Sequence, residues 1–220
     1  MKILALEFSS SQRSVAVIAE AAKGGSRHAA EIVAAGSESS STLSLVDEAL
    51  RQSGHEREEI DCIAIGLGPG SYTGVRAAIA RAQGWQLANG VKLRGISSAD
   101  CIAATARAEG MSGSIRVVID AQRDEFYLAR YELTEVNWDE TEKLRLATRA
   151  EVLGFARAGE SLVGPEVTRW FPGGRVIFPR AVALGQLAAQ RDGCLSSERP
   201  EPIYLRETSF VKAALRKVNL

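Results

Sequence analysis

Apolar positions run along this chain in two rhythms, and the switches between them mark its elements. Ile3-Leu4-Ala5-Leu6 is a short apolar run closed by Glu7, Ser9, Ser10 and Ser11, the pattern of a buried strand entering a polar turn. Val15 to Ile18 predicts a second strand, Gly24-Gly25 a turn and Ala30 to Ala34 a third strand, so the chain opens as an antiparallel meander. After the small polar stretch 36–41 the period lengthens. Leu43, Val46 and Leu50 fall at i, i+3 and i+7, with Leu45 and Ala49 beside them, which predicts a helix from Thr42 to Ser53. Cys62 to Leu67 is an unbroken apolar strand. Gly68-Pro69-Gly70 stops it, and an alanine-rich helix follows from Thr73 to Ala88, closed by Asn89-Gly90 as a glycine C-cap. A strand at Leu93–Ile96 and a helix at Ser98–Glu109 complete this half.

Gly110 to Ser114 is the predicted junction. Beyond it come strands at Arg116–Asp120, Phe126–Leu133 and Leu144–Ala147, a helix at Arg149–Arg157, strands at Ser161–Gly164 and Arg175–Phe178, and a helix at Ala181–Arg191. The second half thus repeats the element order of the first, although no repeat is visible in the residues themselves. Two similar halves with mixed sheets predict an α/β protein of the actin-like (ASKHA) plan, two duplicated βββαβα lobes. The expected division is 1–110 for the first lobe and 111–220 for a smaller second lobe with a C-terminal tail.

Composition narrows the classes. With 220 residues, 45% hydrophobic and 25% charged, the chain has ordinary globular balance and can hide roughly 70% of its unfolded surface without staples. Lys+Arg and Asp+Glu are both 27, which argues against a protein that grips nucleic acid alone by excess positive charge. Cys62, Cys101 and Cys194 form no paired framework and are read as reduced thiols. No apolar run approaches a membrane span and no signal peptide is expected, so the expected location is the cytoplasm.

Three places could carry chemistry. Gly68, Gly70, Ser71, Thr73, Gly74 and Arg76 join a buried strand to a helix start, which suits either an anion near unpaired helical N–H groups or a simple Ser/Thr cap after a sharp turn. No lysine makes this a Walker loop, and no acidic residue at Lys92–Ile96 makes it a dinucleotide site. Asp120 and Glu125 form an acidic pair, suited to acid–base work or Mg²⁺, or else a hairpin-turn Asp with Glu125 pairing to Arg123 or Arg130. On the long helix, Val75, Ile79, Ala82 and Gln86 can serve the core. That leaves Ala77, Ala78, Arg81, Trp85 and Ala88 as a second stripe, of the kind where partners bind or where Trp85 packs on the chain's own second half.

The run Gly68-Pro69-Gly70-Ser71-Tyr72-Thr73-Gly74-Val75-Arg76 resembles the G-P-G-S-[FY]-T-G-[LV]-R signature of the TsaB (YeaZ) family. Ile3 to Glu7 resembles the family's opening I-L-A-[IL]-D, Ile119 to Tyr127 its I-D-A-R-x-x-E-[VL]-Y, and Pro202 to Arg206 its near-terminal P-x-Y-L-R. The four segments keep family order and spacing across nearly the whole chain. The resemblance implies an actin-like fold shared with TsaD, the subunit that transfers a threonylcarbamoyl group to the tRNA adenosine beside the anticodon. It implies a non-catalytic platform that binds a TsaD-like subunit, is joined by a TsaE-like ATPase, and meets tRNA through the complex.

The same resemblance assigns roles. TsaD-type enzymes hold metal through His-x-x-x-His on the first helix; here there are two histidines, His28 and His55, and Glu38 stands where many TsaB members keep one. No metal and no cofactor are therefore expected on this chain, ATP and metal being expected on its partners. Actin-like ATPases end their first strand in an Asp that organises metal-bound water. Glu7 with Ser9, and Asp120 with Glu125, are read as remnants of that site. The partner face is expected on the helices of the first lobe: Leu43, Val46, Leu50, Ala77, Ala78, Arg81 and Trp85, a face that would also suit a homodimer. The competing class is a stand-alone ATP-dependent enzyme or a metallopeptidase-like member of the fold group.

Overall fold

The computed structural model describes residues 1–19, 28–35, 42–190 and 200–205, with residues 28, 29, 35, 42 and 43 described in the backbone alone. The Gly24-Gly25 turn, the 36–41 loop with Glu38, Cys194, Arg206, and the side chains of His28 and Leu43 lie outside the described residues.

The first sheet is built from β1 (Lys2–Glu7), β2 (Gln12–Ala19), β3 (His28–Ala35), β4 (Cys62–Gly66) and β5 (Lys92–Ile96), ordered β3-β2-β1-β4-β5. The meander β1–β3 is antiparallel; β4 and β5 run parallel to β1. The central strands are apolar throughout because both faces are covered. Alternate residues of β1 serve opposite cores: Leu4 and Leu6 pack with Val46, Leu50 and Ile79 on one side, Ile3 and Ala5 with Leu184 and Leu187 on the other. The first side is closed by α1 (Thr42–Ser53) and α2 (Tyr72–Asn89).

The second sheet repeats the plan with β6 (Gly113–Asp120), β7 (Glu125–Leu133), β8 (Trp138–Thr148), β9 (Ser161–Gly164) and β10 (Arg175–Val176), ordered β10-β9-β6-β7-β8. Matching β6 to β1 makes the two orders identical, with the same antiparallel meander and parallel return. Two elements differ from the sequence pattern. Strand β8 extends through the charged stretch 138–143, because an edge strand needs no apolar run and charges protect it. There Glu142 meets Arg116, a β6 residue only 3% exposed that also bonds Glu160 at 2.6 Å. A one-turn helix α5 (Val167–Trp170) sits between β9 and a β10 shorter than the predicted strand. Helix α4 (Arg149–Arg157), capped by Thr148, covers the outer face.

The two sheets divide between β5 and β6, but the closing helices cross. Helix α3 (Ser98–Ala108) buries Ala99, Ile102, Ala103 and Ala106 against β6, β7 and β9 of the second sheet. Helix α6 (Ala181–Gln190) buries Leu184 and Leu187 against β1 and β2 of the first, worth about 1.5–3 kcal/mol each. Gly185 permits that approach, since a Cβ there would lie 2.5 Å from Ile18. The start of α6 is held by the first sheet: Ala181 N–H donates to Ser14 Oγ at 2.8 Å, Val182 N–H to Glu31 at 3.2 Å, and Arg180 Nε to Glu31 at 3.1 Å. The lobes are therefore stitched to each other by their own cores.

Candidate functional site

Three of the four motif segments, far apart in sequence, line one cleft between the lobes, and the fourth, β1, ends behind it. Glu7 is fully buried; one carboxylate oxygen accepts the Ser9 N–H at 2.8 Å and the other the Ser98 hydroxyl at 3.0 Å. Gly66 makes the space, for a Cβ there would stand 2.1 Å from the carboxylate. Burial pushes the Glu7 carboxyl above its ordinary range, against the opposing hydrogen bonds from Ser9 and Ser98. The side chain is part of the wall and does not line the cleft.

The glycine loop is folded onto the β1–β2 turn. Gly68 (φ 83°) and Gly70 (φ 149°) take left-handed conformations that favour glycine. Gly70 and Gly74 also permit contact with the backbone of the turn, since added Cβ atoms would lie 2.1 Å from Ser9 O and 2.0 Å from Phe8 O. Three of the loop's donors are spent inside the protein: Ser71 N–H on Ser9 O at 2.6 Å, Gly68 N–H on Ser98 Oγ at 3.2 Å, and Gly74 N–H on Ser71 Oγ at 3.2 Å. Ser71 is thus the helix cap, and Thr73 is exposed beside it. The metal arrangement of an actin-like ATPase does not fit at the end of β1, because the Glu7 carboxylate faces inward to Ser9 and Ser98.

Arg76 points to the tail. Its Nε donates to the Tyr204 hydroxyl at 3.2 Å, and its guanidinium lies 4.1 Å from the Tyr72 ring centre. Tyr72 and Tyr204 stack at 5.7 Å with 28° between planes, and Ile203 N–H bonds Leu67 O at 2.9 Å. The near-terminal segment is thereby tied to the glycine loop. Neither aromatic residue stood out in the sequence as part of a site; their sole signal was membership of two motifs.

On the opposite lobe, β6 ends in Asp120, whose carboxylate accepts from Gln122 N–H at 2.7 Å and Gln122 Nε2 at 3.1 Å. Gln122, Arg123 and Asp124 all have φ near +60°, a strained left-handed turn that these bonds hold. Asp120 and Ser9 line the cleft, but Glu125 is not among its lining residues, so the acidic pair does not converge. Arg130 donates to Ser114 Oγ at 2.8 Å and lies 3.9 Å from the carboxylates of Glu142 and Glu160. The cleft encloses about 710 Å³ between Ser9–Ser11, Arg13, Tyr72 and Tyr204 on one side and Asp120, Tyr127 and Glu166 on the other. Among the described residues, no group of three or more His, Cys, Asp or Glu side chains is placed to hold a metal.

The helical face is different from its sequence pattern. Val46, Leu50 and Ala78 are buried in the first lobe's own core, because Val46 and Leu50 lie on the inner face of α1 and Ala78 on that of α2. Trp85 is half-buried on that same core, with the Arg57 guanidinium 5.7 Å above its ring, and not against the second half. Ala77 and Arg81 are half-buried, whereas Gln86, expected in the core, is exposed. The ridge that α2 shows outward is Thr73, Arg76, Ala80, Gly84 and Leu87, the last 88% exposed. A cavity of about 380 Å³ between α1 and α2 reaches from Arg81, Trp85 and Ala88 down to Leu4 and Leu6. No helix among the described residues is long and apolar enough to cross a membrane.

A family model described as TsaD, tRNA N6-adenosine threonylcarbamoyltransferase, matches residues 32–199. The tRNA threonylcarbamoyladenosine biosynthesis protein TsaB of Escherichia coli is 29% identical over 181 residues, covering 74% of this chain and 78% of its own. The protein of the same name from Haemophilus influenzae is 27% identical over 225 residues, 94% of each chain. Among solved structures, YeaZ from Pseudomonas aeruginosa is similar with a TM-score of 0.75 and 25% identity, over 93% of this chain and 99% of that one.

Proposed function

Because the chain belongs to the TsaD family of tRNA N6-adenosine threonylcarbamoyltransferase-type proteins, on its TsaB (YeaZ) branch, we propose that it acts in making threonylcarbamoyladenosine in tRNA as a non-catalytic subunit. The observation that carries this reading is Glu7. The carboxylate at the end of the first strand is walled in by Ser9, Ser98 and Gly66, so the position that would organise catalysis has become a structural joint.

The partner in this reading is a TsaD-like catalytic subunit, joined by a TsaE-like ATPase. ATP, metal and tRNA contact belong to the assembled complex, which works in the cytoplasm. The zero formal net charge supports tRNA contact through the complex in preference to this chain alone. The docking face is the outward ridge of α2. Ala80 and Gly84 allow a partner helix to approach closely, and Leu87 offers the anchor. The same ridge suits a second copy of the chain about a two-fold axis.

The test is reconstitution of the tRNA modification with TsaD-like and TsaE-like subunits. Omitting this chain should remove the activity, and Leu87→Asp should abolish co-purification with the TsaD-like subunit. Full activity without the chain, or turnover by the chain alone, refutes the reading.

A further inference from the structure

The cavity between α1 and α2 has the make-up of a small-ligand site. At about 380 Å³ it falls within the range of such pockets, which are mostly apolar with a few placed polar groups. It narrows toward Leu4 and Leu6 of β1, with Val46 of α1 and Trp85 and Ala88 of α2 in its walls. Arg81, Trp85 and Ala88 recur at i, i+4 and i+7, so one face of α2 supplies a cation, a ring and a gap.

Two arginines line this cavity, and they are not equivalent. Arg57 is engaged: it pairs with Asp47 and lies 5.7 Å from the centre of the Trp85 ring. Arg81 is half-buried, and among the described residues no carboxylate, carbonyl or hydroxyl accepts from it. Glu58 shares the lining but is exposed and forms no ion pair with it. Burial alone pulls the Arg81 guanidinium below its ordinary pKa, with no neighbouring acid to oppose the shift. A guanidinium that loses water without gaining a counter-charge is held at a cost that a bound anion removes. Most of the remaining lining is aliphatic or aromatic, so that anion must carry an apolar body. A carboxylate matches the guanidinium fork, and a flat ring packs favourably beside Trp85.

We propose that the α1–α2 cavity binds a small aromatic carboxylic acid, its ring among Val46, Trp85 and Ala88 and its carboxylate on the Arg81 guanidinium. This goes beyond the proposed role in the complex and does not depend on it: the cavity lies within the first lobe, and its ligand is read on the chain alone.

The purified full chain is titrated by calorimetry with 2-naphthoate, with its uncharged match 2-naphthamide, and with acetate, which has the charge and no ring. Naphthoate gives saturable binding, at least about tenfold tighter than either of the others. Arg81→Met weakens naphthoate about tenfold and leaves naphthamide within about threefold, so the preference for the acid disappears. Arg81→Lys, which keeps the charge and loses the fork, falls between. Ala88→Phe, which fills the gap, weakens naphthoate and naphthamide alike. Thermal melts confirm that each variant is folded. No saturable naphthoate binding, equal or tighter binding of naphthamide or acetate, or an unchanged preference for the acid in Arg81→Met overturns the proposal.

Discussion

The ends of β1 and β6 occupy equivalent places in the duplicated fold, and each carries one carboxylate with opposite fates. Glu7 is swallowed: fully buried, bonded to Ser9 and Ser98, and facing a glycine that leaves it room. Asp120 stays half-exposed at the cleft edge but is spent on its own left-handed turn. The strands beside them carry matching glycines. Gly66 yields space to a side chain, while Gly164 yields it to the backbone of Val118, whose oxygen would lie 2.0 Å from an added Cβ. The comparison teaches that a duplicated scaffold can hold equivalent carboxylates in two different ways while keeping its strands, register and cleft.

The comparison can be broken most forcefully at Gly66. Gly66→Ala drives a methyl into the Glu7 carboxylate and should cost about 3 kcal/mol by urea denaturation, the range of core overpacking. Adding Glu7→Ala should restore at least about 1 kcal/mol of that loss by coupling. A Gly66→Ala protein as stable as its parent would show that Glu7 is not held where described.

The next effect is on pH dependence. Because burial raises the Glu7 carboxyl, the folded state holds its proton more tightly than the unfolded chain does. Its stabilising effect is complete below the ordinary value of 4.5 and is lost as pH rises through the folded value. Glu7→Gln should therefore gain stability relative to the parent as pH rises from 4.5 toward neutrality, seen in thermal melts across that range. A difference constant with pH would contradict it.

Smaller still is Asp120→Ala, which loses a turn-capping carboxylate and should cost about 1–2 kcal/mol in the same denaturation, as other side-chain caps do. Leu87→Asp should sit at the bottom of the stability scale, within about 0.5 kcal/mol, because the side chain packs on nothing.

Much of this architecture is legible in the residues. The apolar runs of β1, β4 and β6 and the glycine punctuation after β4 and α2 locate their elements directly, and the order of elements reveals the duplication. Sidedness was harder. Val46, Leu50 and Ala78 follow a true helical period, but a period identifies a face without saying whether it looks inward. Alanine is the extreme case, since it suits a buried contact such as Ala78 and an exposed ridge such as Ala80 equally well. The exchange of α3 and α6 between sheets leaves no local trace, because a buried alanine-rich stripe does not specify which sheet buries it. The 138–143 part of β8 was hidden by its charges, whose ion pairs only the folded sheet reveals. The acidic residues were visible as candidates from the start; that one is walled in and the other spent on a turn depends on Gly66, Ser98 and Gln122, whose roles appear only in three dimensions.

The most direct test compares two variants in one reconstituted tRNA-modification assay. With Glu7→Gln the rate should match the parent, because that carboxylate is structural. With Leu87→Asp it should fall to the level seen when the chain is omitted. The reverse pattern, activity lost with Glu7→Gln and kept with Leu87→Asp, would contradict the account at its centre.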